Sequence, residues 1–169
     1  MKLYRFSPIQ DEQQMMKAVE HIHYGCHDLC KKAIGKYLPV AGTIGIFCHY
    51  DEEYEFLTQV QAKLVDFTNS VNGKYYRLLN PFVIPAKGDI PEAVYTNFYI
   101  RKPDPYRHQV GDLDFYLESD TFSMLKKSLT DRALIEGARI IPNRPDLDLV
   151  ELFNPDVDVL GYIGDLKYQ

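Results

Sequence analysis

Residues 93–117 read AVYTNFYIRKPDPYRHQVGDLDFYL, two alternating runs joined by a polar connection that holds two prolines. In the first run Val94, Thr96, Phe98 and Ile100 alternate with Tyr95, Asn97, Tyr99 and Arg101. Residues two apart on a strand share a face, so the first set is expected in a core and the second on a solvated or ligand-bearing face. In the second run Leu113, Phe115 and Leu117 alternate with Asp112, Asp114 and Tyr116. Such alternation belongs to an antiparallel sheet covered on one side only. Pro103 and Pro105 fix φ and bias the residue before each toward extended backbone, leaving the loop less entropy to lose on binding. Guanidinium forks pair bidentately with carboxylate or phosphate. Tyr99, Arg101, Tyr106 and Arg107 are therefore candidates for binding a small anionic molecule, with His108 as a candidate acid–base group. The competing reading pairs both arginines with Asp104, Asp112 or Asp114 on the surface.

Near the N-terminus of the sequence, Lys2–Phe6 alternates and is expected to be a first strand, broken at Ser7-Pro8. Asp11 is placed to cap a helix running to about Ile34, ended by Gly35 and kept from continuing by Pro39. Residues 42–50, GTIGIFCHY, form a short β-branched and aromatic run and predict a buried strand. Asp51 is expected to cap a second helix with a stripe of Phe56, Val60, Leu64 and Val65. Asn72-Gly73 signals a turn, and Tyr75–Pro85, Ala93–Arg101 and Gly111–Leu117 read as strands. Asp120 is placed to cap a short helix over Thr121–Leu129. Short strands follow near 138–141, 148–153 and 157–163. No internal repeat, low-complexity tract or linker is legible. The expectation is a single α+β domain over residues 1–169, with a mostly antiparallel sheet of about eight strands packed on one long and one medium helix.

The densest side-chain chemistry lies on the first helix, where His23, Cys26, His27 and Cys30 share one arc of about 100°. Imidazole and thiolate are zinc ligands, and His23 and His27, one turn apart at the stripe's edge, are candidate ligands of a divalent metal. Equally, Cys26 and Cys30 fall mid-stripe with Met15 and Val19, where free cysteine acts as a small core hydrophobe. Cys48 and His49 are adjacent on a strand and point to opposite faces, so they form no nucleophile–base pair. His49, at a strand end that borders a helix start, is a candidate acid–base residue.

The charge balance is acidic: 19 Lys and Arg against 24 Asp and Glu give −5, which argues against nucleic acid as partner. Three cysteines form no disulfide framework and point to the cytosol. No apolar run is long enough to span a bilayer, and the first residues lack a signal-peptide pattern, so no membrane partner is expected. Asp146, Asp148, Glu151, Asp156, Asp158 and Asp165 crowd the C-terminal stretch without the Gly-centred spacing of a calcium loop.

One local pattern points to a family. Gly137-Ala138-Arg139, followed after four residues by Arg144-Pro145-Asp146-Leu147-Asp148-Leu149-Val150-Glu151-Leu152, resembles the GxR…DPDGNxIEL ending of vicinal-oxygen-chelate, or glyoxalase-type, modules. The resemblance implies two βαβββ units forming a cupped sheet. It also implies that a glutamate of the final strand binds a divalent metal, and Glu151 stands at that position. Arg144 and Leu147 depart from the pattern, replacing an acid and the turn glycine.

Two function classes follow. In one, a polar sheet face forms a pocket in which Arg101 and Arg107 anchor an anion, Tyr99 and Tyr106 orient it, and His49 or His108 moves protons. A metal on His23, His27 and Glu151 would extend this to a lyase or isomerase. In the other, the Tyr/Arg-rich face and loop bind a protein partner or a second copy as a homodimer, since Tyr and Arg are interface anchors.

Overall fold

Asp11 opens the long helix as its position predicts. Its carboxylate accepts the Gln14 amide at 2.7 Å, and the chain leaves the helix at Gly35 in the left-handed region, φ 84°. In this computed structural model, which describes residues 4–71, 73–131, 135–144 and 147–168, the helix is α1 (Glu12–Ile34). Met15, Val19, Ile22, Cys26, Leu29 and Cys30 form its buried stripe. The chain then runs β1 (Val40–Phe47), α2 (Asp51–Leu64), β2 (Val65–Val71), β3 (Tyr75–Ile84), β4 (Ala93–Arg101) and β5 (Gly111–Leu117). It closes with α3 (Ser119–Thr130), β6 (Ala138–Arg144), β7 (Leu147–Leu152), β8 (Val159–Asp165) and a 3₁₀ turn at Leu166–Tyr168.

The strands make one eight-stranded sheet in the order β2-β3-β4-β1-β5-β8-β7-β6. β1/β4 and β5/β8 are parallel, and the other neighbouring pairs are antiparallel. The expected α+β class and mostly antiparallel sheet are therefore what the chain forms. The topology also repeats, although no sequence repeat is legible. β1-α2-β2-β3-β4 and β5-α3-β6-β7-β8 are each a βαβββ unit whose first and last strands are parallel neighbours. The two first strands, β1 and β5, meet antiparallel at the centre. This is the paired-unit arrangement that the local resemblance implies.

α1 packs on β8, β5, β1 and β7, and α2 on β4, β2 and β3. Ile44, Ile46, Phe98, Leu113, Phe115, Val150, Leu152, Val159 and Ile163 join the helices in one core. Alternation sends Gly45, Phe47, Tyr99, Arg101, Asp112, Asp114, Glu151, Leu160 and Tyr162 to the opposite face of the sheet.

Several local expectations are corrected. Tyr4–Phe6 is no strand: Phe6 takes φ 66°, a backbone that no strand uses, and the Tyr4 ring stacks on His49 at 3.9 Å. Lys2, Leu3, Asn72 and Pro145–Asp146 lie outside the described residues. α2 is entered from Tyr50, with Asp51 inside its first turn, and α3 from Glu118, with Asp120 inside its first turn. Val65, read as the end of a helical stripe, begins β2, whose polar run DFTNS carries little strand signal. A register shift in the β3/β4 pair breaks the expected alternation. Tyr95 turns into the core, wholly buried, while Val94 is 44% exposed.

Candidate functional site

Two rows of side chains cross the helix-free face. The first follows the register Tyr99–Gly45–Asp112–Leu160 over β4, β1, β5 and β8. Gly45 makes it workable, because a Cβ there would stand 2.1 Å from the Tyr99 ring. With only hydrogen at that point, the ring lies across β1 and its hydroxyl sits 2.5 Å from each oxygen of Asp112. The second row is Asp114–Tyr162–Glu151–Arg139 over β5, β8, β7 and β6. Arg139 donates to Glu151 from Nε at 2.6 Å and from Nη2 at 2.5 Å, and the Tyr162 hydroxyl donates to the other carboxylate oxygen at 3.3 Å.

Burial sets the electrostatics. Asp112 and Glu151 are both nearly inaccessible to solvent. Burial pushes the carboxyls of Asp112 and Asp114 above the usual range, and the charge of Asp112 adds to the rise at Asp114. The Tyr99 hydrogen bond and the charges of Lys74, Arg101 and Arg107 pull Asp112 back toward its ionised form. The phenol of Tyr99 is raised by its burial and then by Asp112, and stays protonated. Tyr162 is raised by burial and by Asp112 and Glu151.

The proline-stiffened loop closes over this face. An Asx turn, with the Tyr106 amide 3.0 Å from Asp104 Oδ1, shapes its tip. Arg101 Nη2 and Arg107 Nε both stand 3.8 Å from Asp104 Oδ2, too far for a hydrogen bond. Both guanidinium groups also lie over the Phe47 ring, at 5.2 and 6.0 Å from its centroid. Between the loop and the ends of β6–β8 is a cavity of about 450 Å³, lined by Asp104, Tyr106, Arg107, His108, Arg139, Glu151, Phe153 and Leu160, among others.

The sequence-expected residues divide accordingly. Arg101, Arg107, Tyr106, His108 and Glu151 gather at or beside the cavity, and Tyr99 lies in the adjoining row. His49 stands apart, at the N-terminal segment: Ser7 Oγ is 2.8 Å from its Nδ1, and Ser7 also donates to Glu53. His23 and His27 are wholly buried on the helix side, with their rings 4.3 Å apart. His23 Nδ1 is 2.7 Å from the Tyr95 hydroxyl, and His27 Nδ1 donates to the His23 carbonyl. Burial, helped by His27, lowers the His23 pKa to about 4. Burial likewise lowers His27 and raises Cys26, Cys30 and Cys48, the behaviour of core cysteines.

His23 and His27 thus have the sheet between them and Glu151, and the three form no common metal site. Glu151 itself does not fit the family's ligand role. It lies on β7, with β8 inserted after it against β5, so it is not on the final strand of its unit. Its carboxylate is already taken by the Arg139 guanidinium. Among the described residues, no group of three or more His, Cys, Asp or Glu side chains is placed to hold a metal ion.

Sequence reasoning missed the weight of Arg139, Tyr162 and the Asp112–Asp114 pair. Asp112 and Asp114 were visible as alternating acids. Tyr162 becomes relevant only through the β5/β8 pairing, which local pattern does not encode.

Fold and face together describe a paired-βαβββ domain with a polar, arginine-bearing cavity on its helix-free side. No protein-family model and no curated protein matches the sequence. Among solved structures, the chain is similar in fold to a structural-genomics protein designated EC4020, with a TM-score of 0.60 and 13% identity over 99% of this chain and 96% of that one. Two variants of Streptomyces coelicolor methylmalonyl-CoA epimerase, each in complex with 2-nitronate-propionyl-CoA, also match. They cover 75% of this chain and 98% of their own, at TM-score 0.34 and 16% and 15% identity.

Proposed function

We propose that this protein binds a small anionic molecule in the cavity on the helix-free face. Arg101 and Arg107 are its anion fork, Arg139 a further cation on the far wall, and Tyr106 and His108 the groups that orient the ligand and exchange protons with it. The observation that carries the reading is the convergence of Arg101 and Arg107 on one Asp104 oxygen and one Phe47 ring beside the cavity. Neither guanidinium makes a close ion pair there, so both forks keep donors for a ligand carboxylate, phosphate or sulfate. The reading of the same face as a protein-interaction module rests on Tyr106, 94% exposed. A recess with buried titratable groups favours the small molecule. The described residues at the cavity supply acid–base groups, and His108 and the neighbouring carboxyls are the groups that would transfer protons there.

Isothermal calorimetry with sulfate, malonate and inorganic phosphate tests this. The wild-type protein is expected to bind at least one of the three. Arg101→Ala and Arg107→Ala should each weaken binding by roughly tenfold, the loss of one charge-assisted contact. Equal affinity in wild type and both variants would overturn the proposal.

A further inference from the structure

The turn after β7 is a wall shared by two recesses. Phe153, Asn154 and Pro155 line the arginine cavity of about 450 Å³ and also a second cavity of about 160 Å³. Leu29 and Ala33, from the last two turns of α1, join Phe153 and Pro155 to give the second cavity a hydrocarbon lining, with the exposed Lys32 and Glu136 beside it. Gly137 lets its walls meet this closely: φ there is 81°, and a Cβ would stand 2.9 Å from the Phe153 carbonyl oxygen and 3.9 Å from the Ala33 methyl. The shared wall is held by its own bonds. The Phe153 amide donates to the Gly137 carbonyl at 2.9 Å, the Asp156 amide to Asn154 Oδ1 at 2.9 Å, and the Val157 amide to the Asn154 carbonyl at 3.0 Å. Its chemistry changes at one residue, because the Arg139 guanidinium of the first cavity lies 4.5 Å from the Phe153 ring centroid.

Resting on the anion reading above, we propose that the two recesses form one bipartite site for an amphiphilic acid, with its carboxylate against Arg107 and Arg139 and a short hydrocarbon tail between α1 and the 153–155 turn. The first cavity has the volume of an organic-ligand pocket rather than that of a bare inorganic anion. Apolar cavities of roughly 150 Å³ exclude water and take up benzene-sized groups, so the second is of a size to seat a small apolar tail. Three residues common to both recesses bring head and tail within the span of one small molecule, and the bonded turn between them has little order left to gain on binding. A wholly polar anion gains nothing from the second recess. That separates the proposed ligand class from sulfate, phosphate and malonate.

The test is a titration with butyrate, hexanoate and octanoate, read by calorimetry and by the methyl resonances of Ala33 and Leu29 in the full-length protein. Affinity is expected to rise by up to roughly fourfold per methylene that enters the apolar recess, and by about tenfold or more from butyrate to octanoate. The Ala33 and Leu29 methyls should shift with octanoate and stay still with sulfate. Ala33→Leu, which fills the recess, should bring the octanoate-to-butyrate ratio toward one. Arg107→Ala should weaken both acids by roughly tenfold. If Ala33→Leu does not fold, the wild-type methyl shifts decide. Butyrate and octanoate of equal affinity overturn the bipartite site and leave the anion site standing. A ratio that survives Ala33→Leu, or octanoate binding without methyl shifts, places the tail elsewhere and equally overturns it. Octanoate that shifts the methyls but binds Arg107→Ala as tightly as wild type shows two separate sites, and overturns it too. Failure of sulfate, malonate, phosphate and all three acids to bind removes the anion reading itself, and the bipartite site with it.

Discussion

Acidification should destabilise this protein through one buried histidine. His23 is wholly buried, bonded through Nδ1 to Tyr95, and its folded-state pKa of about 4 lies below the ordinary 6.5. The unfolded chain therefore binds the proton first as pH falls. The stability associated with the neutral ring is fully present above about 6.5 and is lost progressively down to about 4. A gap of 2.5 units corresponds to on the order of 3 kcal/mol, of which about 2.5 kcal/mol is lost by about pH 4.5. His27, lowered by the same burial, acts in the same direction. Asp112 and Asp114 act against it, because raised carboxyls favour the folded state as pH falls. The measurement that separates them is a difference: urea unfolding of wild type and of the double variant His23→Leu with Tyr95→Phe, at about pH 7.5 and 4.5. The double change removes the imidazole together with the phenol that would otherwise lose its partner. Wild type should lose about 2.5 kcal/mol more than the variant across this interval. Identical pH dependence in the two proteins would refute the reasoning, since His23 would then titrate alike in both states.

Gly45→Ala places a methyl 2.1 Å from the Tyr99 ring and should cost roughly 1–3 kcal/mol in denaturant unfolding. Part of that cost should be recovered in the Gly45→Ala, Tyr99→Ala double variant, because the two changes share one contact. Arg139→Ala leaves the buried carboxylate of Glu151 with only the 3.3 Å Tyr162 contact. It should destabilise by roughly 1–3 kcal/mol, with Glu151→Gln introduced into the same variant restoring much of the loss. Treatment with chelator should leave the thermal midpoint unchanged, because His23 and His27 lie across the sheet from Glu151; a chelator-dependent drop would show a metal centre outside the described residues.

Much of this architecture was legible because it is local. The spacing of Asp11, Gly35 and the apolar stripe between them located α1, and the alternation at 111–117 located β5 and its two faces. The loop of Arg101, Arg107 and His108 was readable from its prolines and its charges. What escaped was non-local. The pairing of β5 with β8, across some forty residues of intervening chain, is what gives Tyr162 its neighbours, and no periodicity reports it. The same holds for the doubled βαβββ topology, since the two units share strand order but no evident residue pattern. His23 and His27 looked like edge residues on a helical wheel. Both are wholly buried, His23 against Tyr95, which steps out of the expected alternation of β4 and meets it through its hydroxyl, and His27 against His23 and Phe115.

The packing of α1 has a consequence for when this protein can become stable as it is made. α1 is synthesised before all eight strands of the sheet, yet much of its apolar stripe rests on β8, the last of the eight, and on β5 and β7. Its central Gly25 lies against Val159 at the start of β8. During synthesis α1 must therefore wait, with Ile22, Cys26 and Cys30 uncovered, until β8 has left the ribosome. Contacts of such long sequence separation are slow to form, and an apolar helix exposed for that interval is a natural substrate for chaperones. Folding of this sheet should thus be completed in one step that brings α1 and β8 together, rather than one βαβββ unit after the other.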